Sequence, residues 1–262
     1  MQSKGHRSRI ALLVAAVTAG APADAAHAQP GPESLFARGD VMIGFSAGGT
    51  AFTDFQRGEA RSGGRDFDRR LSAQPTIAIA GTFTYWVSSG LGFRAHASYA
   101  PSRFVIEQPD EASAAESVGT EARPLAPLTV LIADLSVIFR APVAFGRVVP
   151  YGIVGAGVID YRADPGSSSP LPPEARDAFA NDSLRRFAGV LGVGAVIRPH
   201  QRDFFLTFEL TDHFTRSPVA NAAVGPFEEA SGMVIDPDGH GNSDTAGLTN
   251  TFRVLVGVAI PL

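Results

Sequence analysis

The sequence predicts an all-β fold: a closed, antiparallel, up-and-down transmembrane β-barrel of eight strands, with ten as the alternative count. Three observations carry this expectation. Apolar residues alternate with small or polar ones, at period two, through eight segments. The connections between those segments alternate between long and short. Past residue 28 there is no run of 18 or more apolar residues, so no transmembrane helix is available. A chain that crosses a bilayer without helices must close a barrel, because nothing else pairs every backbone N–H and C=O where water is absent.

The eight segments are 40–53, 74–87, 91–106, 128–140, 147–161, 184–198, 203–215 and 247–262. Each is long enough for a tilted membrane strand, which takes about 9–11 residues. In the third, Leu91, Phe93, Ala95, Ala97 and Tyr99 oppose Gly92, Arg94, His96 and Ser98. In the second, Ile77, Ile79, Phe83 and Tyr85 oppose Thr76, Ala78, Ala80, Thr82 and Thr84. In the seventh, Phe204, Leu206, Phe208 and Leu210 oppose Phe205, Thr207, Glu209 and Thr211. In the last, Phe252, Val254, Val256, Val258 and Ile260 oppose Thr251, Arg253, Leu255, Gly257 and Ala259. A soluble sandwich also alternates, with its apolar side inward. Here the second face is small or polar with an isolated charge in mid-strand, which suits a narrow lumen filled by side chains.

The connections sort by length. Residues 54–73, 107–127, 162–183 and 216–246 are long; 88–90, 141–146 and 199–202 are short. If the first strand rises from the periplasm, every short turn is periplasmic and every long loop is extracellular. A further short two-strand element around Met233 to Ile235 would bring the count to ten. Aromatics gather near strand ends and predict two girdles: Phe52, Phe55, Tyr99, Phe104, Tyr161, Phe187 and Phe214 at one rim, and Tyr85, Trp86, Phe93, Phe139, Phe145 and Tyr151 at the other.

The amino end reads as a cleaved secretory signal peptide, residues 1–28, rather than an anchor helix. Lys4, Arg7 and Arg9 precede the short apolar run Ile10 to Ala19, and Ala26-His27-Ala28 is a small-x-small cleavage site. Residues 29–39 read as a periplasmic lead-in and 40–262 as the barrel domain. Without residues 1–28, Lys+Arg falls from 22 to 19 and Asp+Glu from 26 to 25, so net charge moves from −4 to −6. Lys4 is the only lysine, and nothing forms the basic stripe expected of a nucleic-acid partner. The chain has no cysteine, so no disulfide or Cys-ligated metal contributes.

The signal peptide, the eight amphipathic segments, the loop asymmetry and the terminal strand Thr251 to Leu262 together resemble the OmpA/OmpX-type small outer-membrane barrels. The resemblance covers essentially the whole chain after residue 28. It implies an outer-membrane location, insertion by the barrel-assembly machinery, a monomer, and no separate peptidoglycan-binding domain. Such barrels usually end in an aromatic residue, whereas this chain ends Pro261-Leu262.

Several constellations invite a chemical reading. Arg94, Asp134, Glu209 and Arg253 fall in mid-strand on the polar side, with His96 nearby. Charges inside a narrow barrel must be paired, so these five are expected to form a lumen ion-pair network, a plug or a gate. Asp236, Asp238 and Asp244 alternate with glycines as in a Ca²⁺ loop, yet Gly247 stands where the bidentate Glu would be. No other cofactor is expected. His213 with Asp212, Ser217 and Glu209 suggests a lipid-hydrolysing triad only if they converge; a rim histidine is the plainer reading. The repeats Gly152, Gly155, Gly157 and Gly189, Gly192, Gly194 lie in strand patterns without a following helix and read as room in the lumen. Arg61, Arg65, Arg69, Arg70, Arg185 and Arg186 lie in or near the long loops, where they either contact anionic lipopolysaccharide headgroups or are simply solvated.

The expected function is therefore a non-enzymatic outer-membrane barrel whose four extracellular loops bind a surface ligand. The rivals are an outer-membrane lipid-modifying enzyme and a soluble periplasmic barrel holding a hydrophobic ligand.

Overall fold

The computed structural model describes residues 36–62, 65–109, 120–141, 145, 147–164, 184–199, 203–217, 233–234 and 248–262, with side chains excepted at 56–69, 106–123 and 233–234. The signal-peptide reading and the Asp236, Asp238 and Asp244 loop lie outside these residues. The strands are Val41–Phe52 (β1), Gln56–Ser62 (β2), Arg65–Ala73 (β3), Thr76–Ser88 (β4), Leu91–Pro109 (β5), Thr120–Arg140 (β6), Val148–Ala163 (β7), Leu184–Ile197 (β8), Phe205–Arg216 (β9), Met233–Val234 (β10) and Leu248–Pro261 (β11).

Among the described residues eight strands close a ring in the order β1-β4-β5-β6-β7-β8-β9-β11, and β11 pairs back on β1. Every pairing in the ring is antiparallel. Each of the eight sequence segments corresponds to one ring strand. Among the described residues no helix is long and apolar enough to cross a membrane. The ten-strand count does not hold. Met233 and Val234 pair with Ala60 and Glu59 outside the ring, and two residues are too short to span.

Two segments expected as loops are largely strand. Residues 56–73 form the hairpin β2–β3, and β3 joins the outer end of β5 through Arg70↔Glu107 to Ala73↔Phe104. Strands β5 and β6 stay paired as far as Pro109↔Thr120. Leu125 is the extra residue of a bulge, since Phe104 faces Ala126 while Val105 faces Pro124. Backbone pairing in water does not require an apolar face, so charged and Pro-containing sequence can continue a sheet beyond the bilayer.

The outer face of the ring is apolar and bare. Phe45, Ile77 and Leu135 are 68%, 70% and 72% exposed. Their strand neighbours turn inward, which overturns the soluble-barrel reading: a soluble barrel would bury these side chains. The interior holds two apolar clusters. At the short-turn end Phe36 stacks on Trp86 (centroids 4.4 Å, planes at 11°) and leans on Phe205 at 5.6 Å, with Met42, Ile138 and Ile153 alongside. At the long-loop end Phe55 meets Phe104 and Tyr161 edge-on at 5.8 and 5.4 Å, above Leu71, Leu128 and Ile159.

The two girdles are consequently thinner than expected. Tyr85, Phe93, Tyr99, Phe139, Phe145 and Phe187 are exposed on the outer face, whereas Phe55, Trp86, Phe104, Tyr151 and Tyr161 are buried in the clusters. Height along a strand says nothing about which face a ring occupies; strand parity does.

Candidate functional site

Between the apolar clusters lies a polar layer built from five strands. Parity turns Arg94 and His96 of β5, Asp134 and Ser136 of β6, Tyr151 of β7, Glu209 and His213 of β9, and Arg253 of β11 into the lumen, and all eight are buried. Register sets neighbours directly opposite: His96↔Asp134 and Arg94↔Ser136 across β5–β6, and Leu255↔Glu209 across β11–β9.

Asp134 is the hub. Its Oδ2 accepts from His96 Nδ1 at 2.8 Å and from His213 Nε2 at 3.2 Å. Its Oδ1 accepts from Ser136 Oγ at 2.7 Å and, at the long limit of 3.5 Å, from Arg94 Nη2. Four donors fill the acceptor capacity of one carboxylate. Glu209 is the second acceptor: Oε2 takes Arg94 Nη1 at 2.6 Å and Oε1 takes the Tyr151 hydroxyl at 2.8 Å. Arg94 therefore bridges both carboxylates. Arg253 Nη2 lies 2.7 Å from His96 Nε2.

Glycines make this layer fit. A β-carbon on Gly194 would overlap the Tyr151 ring, and one on Gly157 would press against Asp134 Cβ at 2.7 Å. Gly157 on β7 and Gly194 on β8 thus clear space for the hub and for the tyrosine, whereas Gly152 meets nothing and Gly189 makes room for the Phe214 ring, so the repeats do not serve the lumen as a whole.

All five of the singled-out residues Arg94, His96, Asp134, Glu209 and Arg253 sit in this layer, but their pairing differs from a simple two-by-two exchange. Arg94 takes both acids, and Arg253 meets an imidazole instead of a carboxylate. Sequence reasoning missed Ser136, Tyr151 and His213 as members. The signal was present: His213 shares the parity of Glu209, and Ser136 that of Asp134.

No family model matches the sequence, and no curated protein matches it. Solved structures do. The outer membrane protein OprG from Pseudomonas aeruginosa matches with a TM-score of 0.51 at 12% identity, over 87% of this chain and 98% of that one. The fold is that of the small bacterial outer-membrane barrels. Two further matches are weaker in overall shape. Ail, the attachment invasion locus protein of Yersinia pestis, in complex with the heparin analogue sucrose octasulfate, gives 0.42 at 11% identity over 86% and 99% of the two chains. The outer membrane protein AlkL, solved in lipid bilayers, gives 0.45 at 15% over 87% and 92%.

With that fold and its bare apolar outer face, the chain is a cell outer-membrane barrel. The short turns lie at one end of the ring, and the β2–β3 hairpin and the β5–β6 extension at the other. Phe36, ahead of β1, packs on Trp86 inside the short-turn end. The four candidate triad residues are not assembled. His213 points into the lumen, while Asp212, next along the strand, takes a hydrogen bond from Asn250 Nδ2 at 3.2 Å. Ser217 Oγ donates to the Phe55 carbonyl at 2.6 Å, and Glu209 is held by Arg94 and Tyr151.

Proposed function

We propose that this protein is a non-enzymatic, monomeric membrane anchor with a closed lumen, whose extracellular ribbons and loops bind at the cell surface. The observation that supports this best is the filling of the lumen at three successive levels: Phe36–Trp86–Phe205, the Asp134 layer, and Phe55–Phe104–Tyr161. An interior of eight strands is just wide enough for such side chains, which leaves no continuous water path. The sheet that continues outward through β2, β3, β5 and β6 is the part free to meet a partner.

The outer rim suits anionic lipid. On the outward face Arg185 lies two residues before Phe187, Arg216 two residues after Phe214 and Arg103 four residues after Tyr99, each toward the long-loop end of its strand. Arg103, Arg185 and Arg216 are exposed, just beyond the ring that marks the bilayer edge. Guanidinium groups there are placed for the phosphates of lipopolysaccharide.

The test is to replace residues 56–73 by a tight turn in cells that display the full chain. Folding, read as the heat-modifiable gel shift, is expected to persist while retention of the cells on glycan- and protein-coated surfaces is lost. Unchanged retention, or a barrel that admits small hydrophilic dyes into the cell, contradicts the proposal.

A further inference from the structure

Arg253 is a buried cation without a carboxylate. It is 1% exposed, and its hydrogen bond among the described residues goes to His96 Nε2. An arginine can only donate, so His96 offers a lone pair there and its Nδ1 carries the hydrogen that goes to Asp134. Both Asp134 oxygens and both Glu209 oxygens are already taken by His96, His213, Ser136, Arg94 and Tyr151. Arg253 Nε and Nη1 are left buried with no partner among the described residues.

The same patch gathers further unpartnered groups. Thr50 of β1 and Thr211 of β9 stand directly across from Arg253 on either side. Cross-strand neighbours of this kind bring their β-carbons within about 4.5–5.5 Å. The hydroxyls of Thr50 and Thr211 are buried and unpartnered, as Arg253 Nε and Nη1 are. All four atoms are able to donate, and none of the four belongs to an anion. His213 Nδ1, left an acceptor because Nε2 donates to Asp134, is unpartnered in the same layer, but a neutral lone pair does not balance a guanidinium charge. A low-dielectric patch with this composition calls for an acceptor that carries charge.

We propose that the barrel centre binds one small monovalent anion of halide size, held by Arg253 Nε and Nη1 and by the hydroxyls of Thr50 and Thr211. Arg94, Arg253, Asp134 and Glu209 sum to zero charge, so a monovalent ion adds a single negative charge beside an unmatched guanidinium. A divalent oxyanion adds two, next to two carboxylates, and is excluded. The inference does not depend on what the extracellular loops bind.

The decisive experiment is crystallography of the full chain folded in sodium bromide. A bromide anomalous peak within hydrogen-bonding distance of Arg253 Nε and Nη1 is expected, and peaks without anomalous signal, water alone, overturn the proposal. In solution, urea unfolding is compared in bromide and in gluconate at equal ionic strength. The folding equilibrium of the wild type is expected to rise about tenfold at ten times the anion's Kd, and the rise is lost in Arg253→Gln and reduced in Thr50→Val/Thr211→Val. An equal response in Arg253→Gln is a general salt effect and overturns it. Should Arg253→Gln fail to fold, the wild-type anomalous map still decides.

Discussion

Asp134 Oδ2 accepts from two histidines on different strands, His96 of β5 at 2.8 Å and His213 of β9 at 3.2 Å, and so ties opposite walls of the barrel to one atom. These walls are not neighbours in the ring. The backbone ladder fixes adjacent strands; this carboxylate fixes the cross-section.

Asp134→Asn keeps the shape and removes the charge. It is expected to destabilise the barrel by roughly 3–5 kcal/mol, because Arg94 and the two histidines lose a buried anionic partner. Asp160→Asn is the control. Asp160 meets Arg162 at 2.8 Å and Arg185 at 3.6 Å, but those side chains are 60% and 62% exposed. The control is expected to cost about 0–1 kcal/mol, with urea unfolding of lipid-reconstituted protein as the measurement.

Gly194 and Tyr151 should behave as one unit. Gly194→Ala drives a β-carbon into the Tyr151 ring and is expected to cost about 1–3 kcal/mol. In a Tyr151→Ala background the same change is expected to be close to neutral, so the double-mutant cycle reads a coupling of about the full single-mutant cost. An additive pair removes the explanation given for this glycine.

Leu135 faces lipid at mid-strand and is 72% exposed. Leu135→Arg is expected to cost about 2–4 kcal/mol for folding into a bilayer, as charges do at the midplane of barrel surfaces. On a soluble protein, an equally exposed site would register within about 0.5 kcal/mol. Folding yield into vesicles against urea concentration separates the two.

Phe36 plugs the short-turn end of the barrel from outside the ring strands. Phe36→Ala removes the stack on Trp86 and is expected to cost about 3–5 kcal/mol of stability. It should leave bilayer conductance at baseline, because the Asp134 layer and the Phe55 cluster remain. Current through this single variant would mean that the aromatic plug alone closes the barrel.

Much of this arrangement was legible in the sequence, for a physical reason. Lipid outside and a cramped interior give strands such as Thr76–Ser88 and Leu248–Pro261 one apolar and one small-or-polar face, so parity alone recovers the ring and the inward turn of Arg94, Asp134, Glu209 and Arg253. Where that constraint lapses, the pattern lapses. The hairpin over 56–73 pairs in water, where charge costs little, and it reads as loop. Trp86, Phe104, Tyr151 and Tyr161 were expected at the rims by their height, although each shares the parity of a lumen residue on its own strand. Which donor meets which carboxylate depends on register across strands distant in sequence. No local pattern encodes that Arg253 faces Thr50 and Thr211.

The most direct test of the closed-anchor account is current across a planar lipid bilayer containing the purified wild-type chain. Insertion with no steady current above the lipid baseline is predicted. A stable open-channel current would contradict it, since ions would then be passing through levels that Phe36, Asp134 and Phe55 are held to fill.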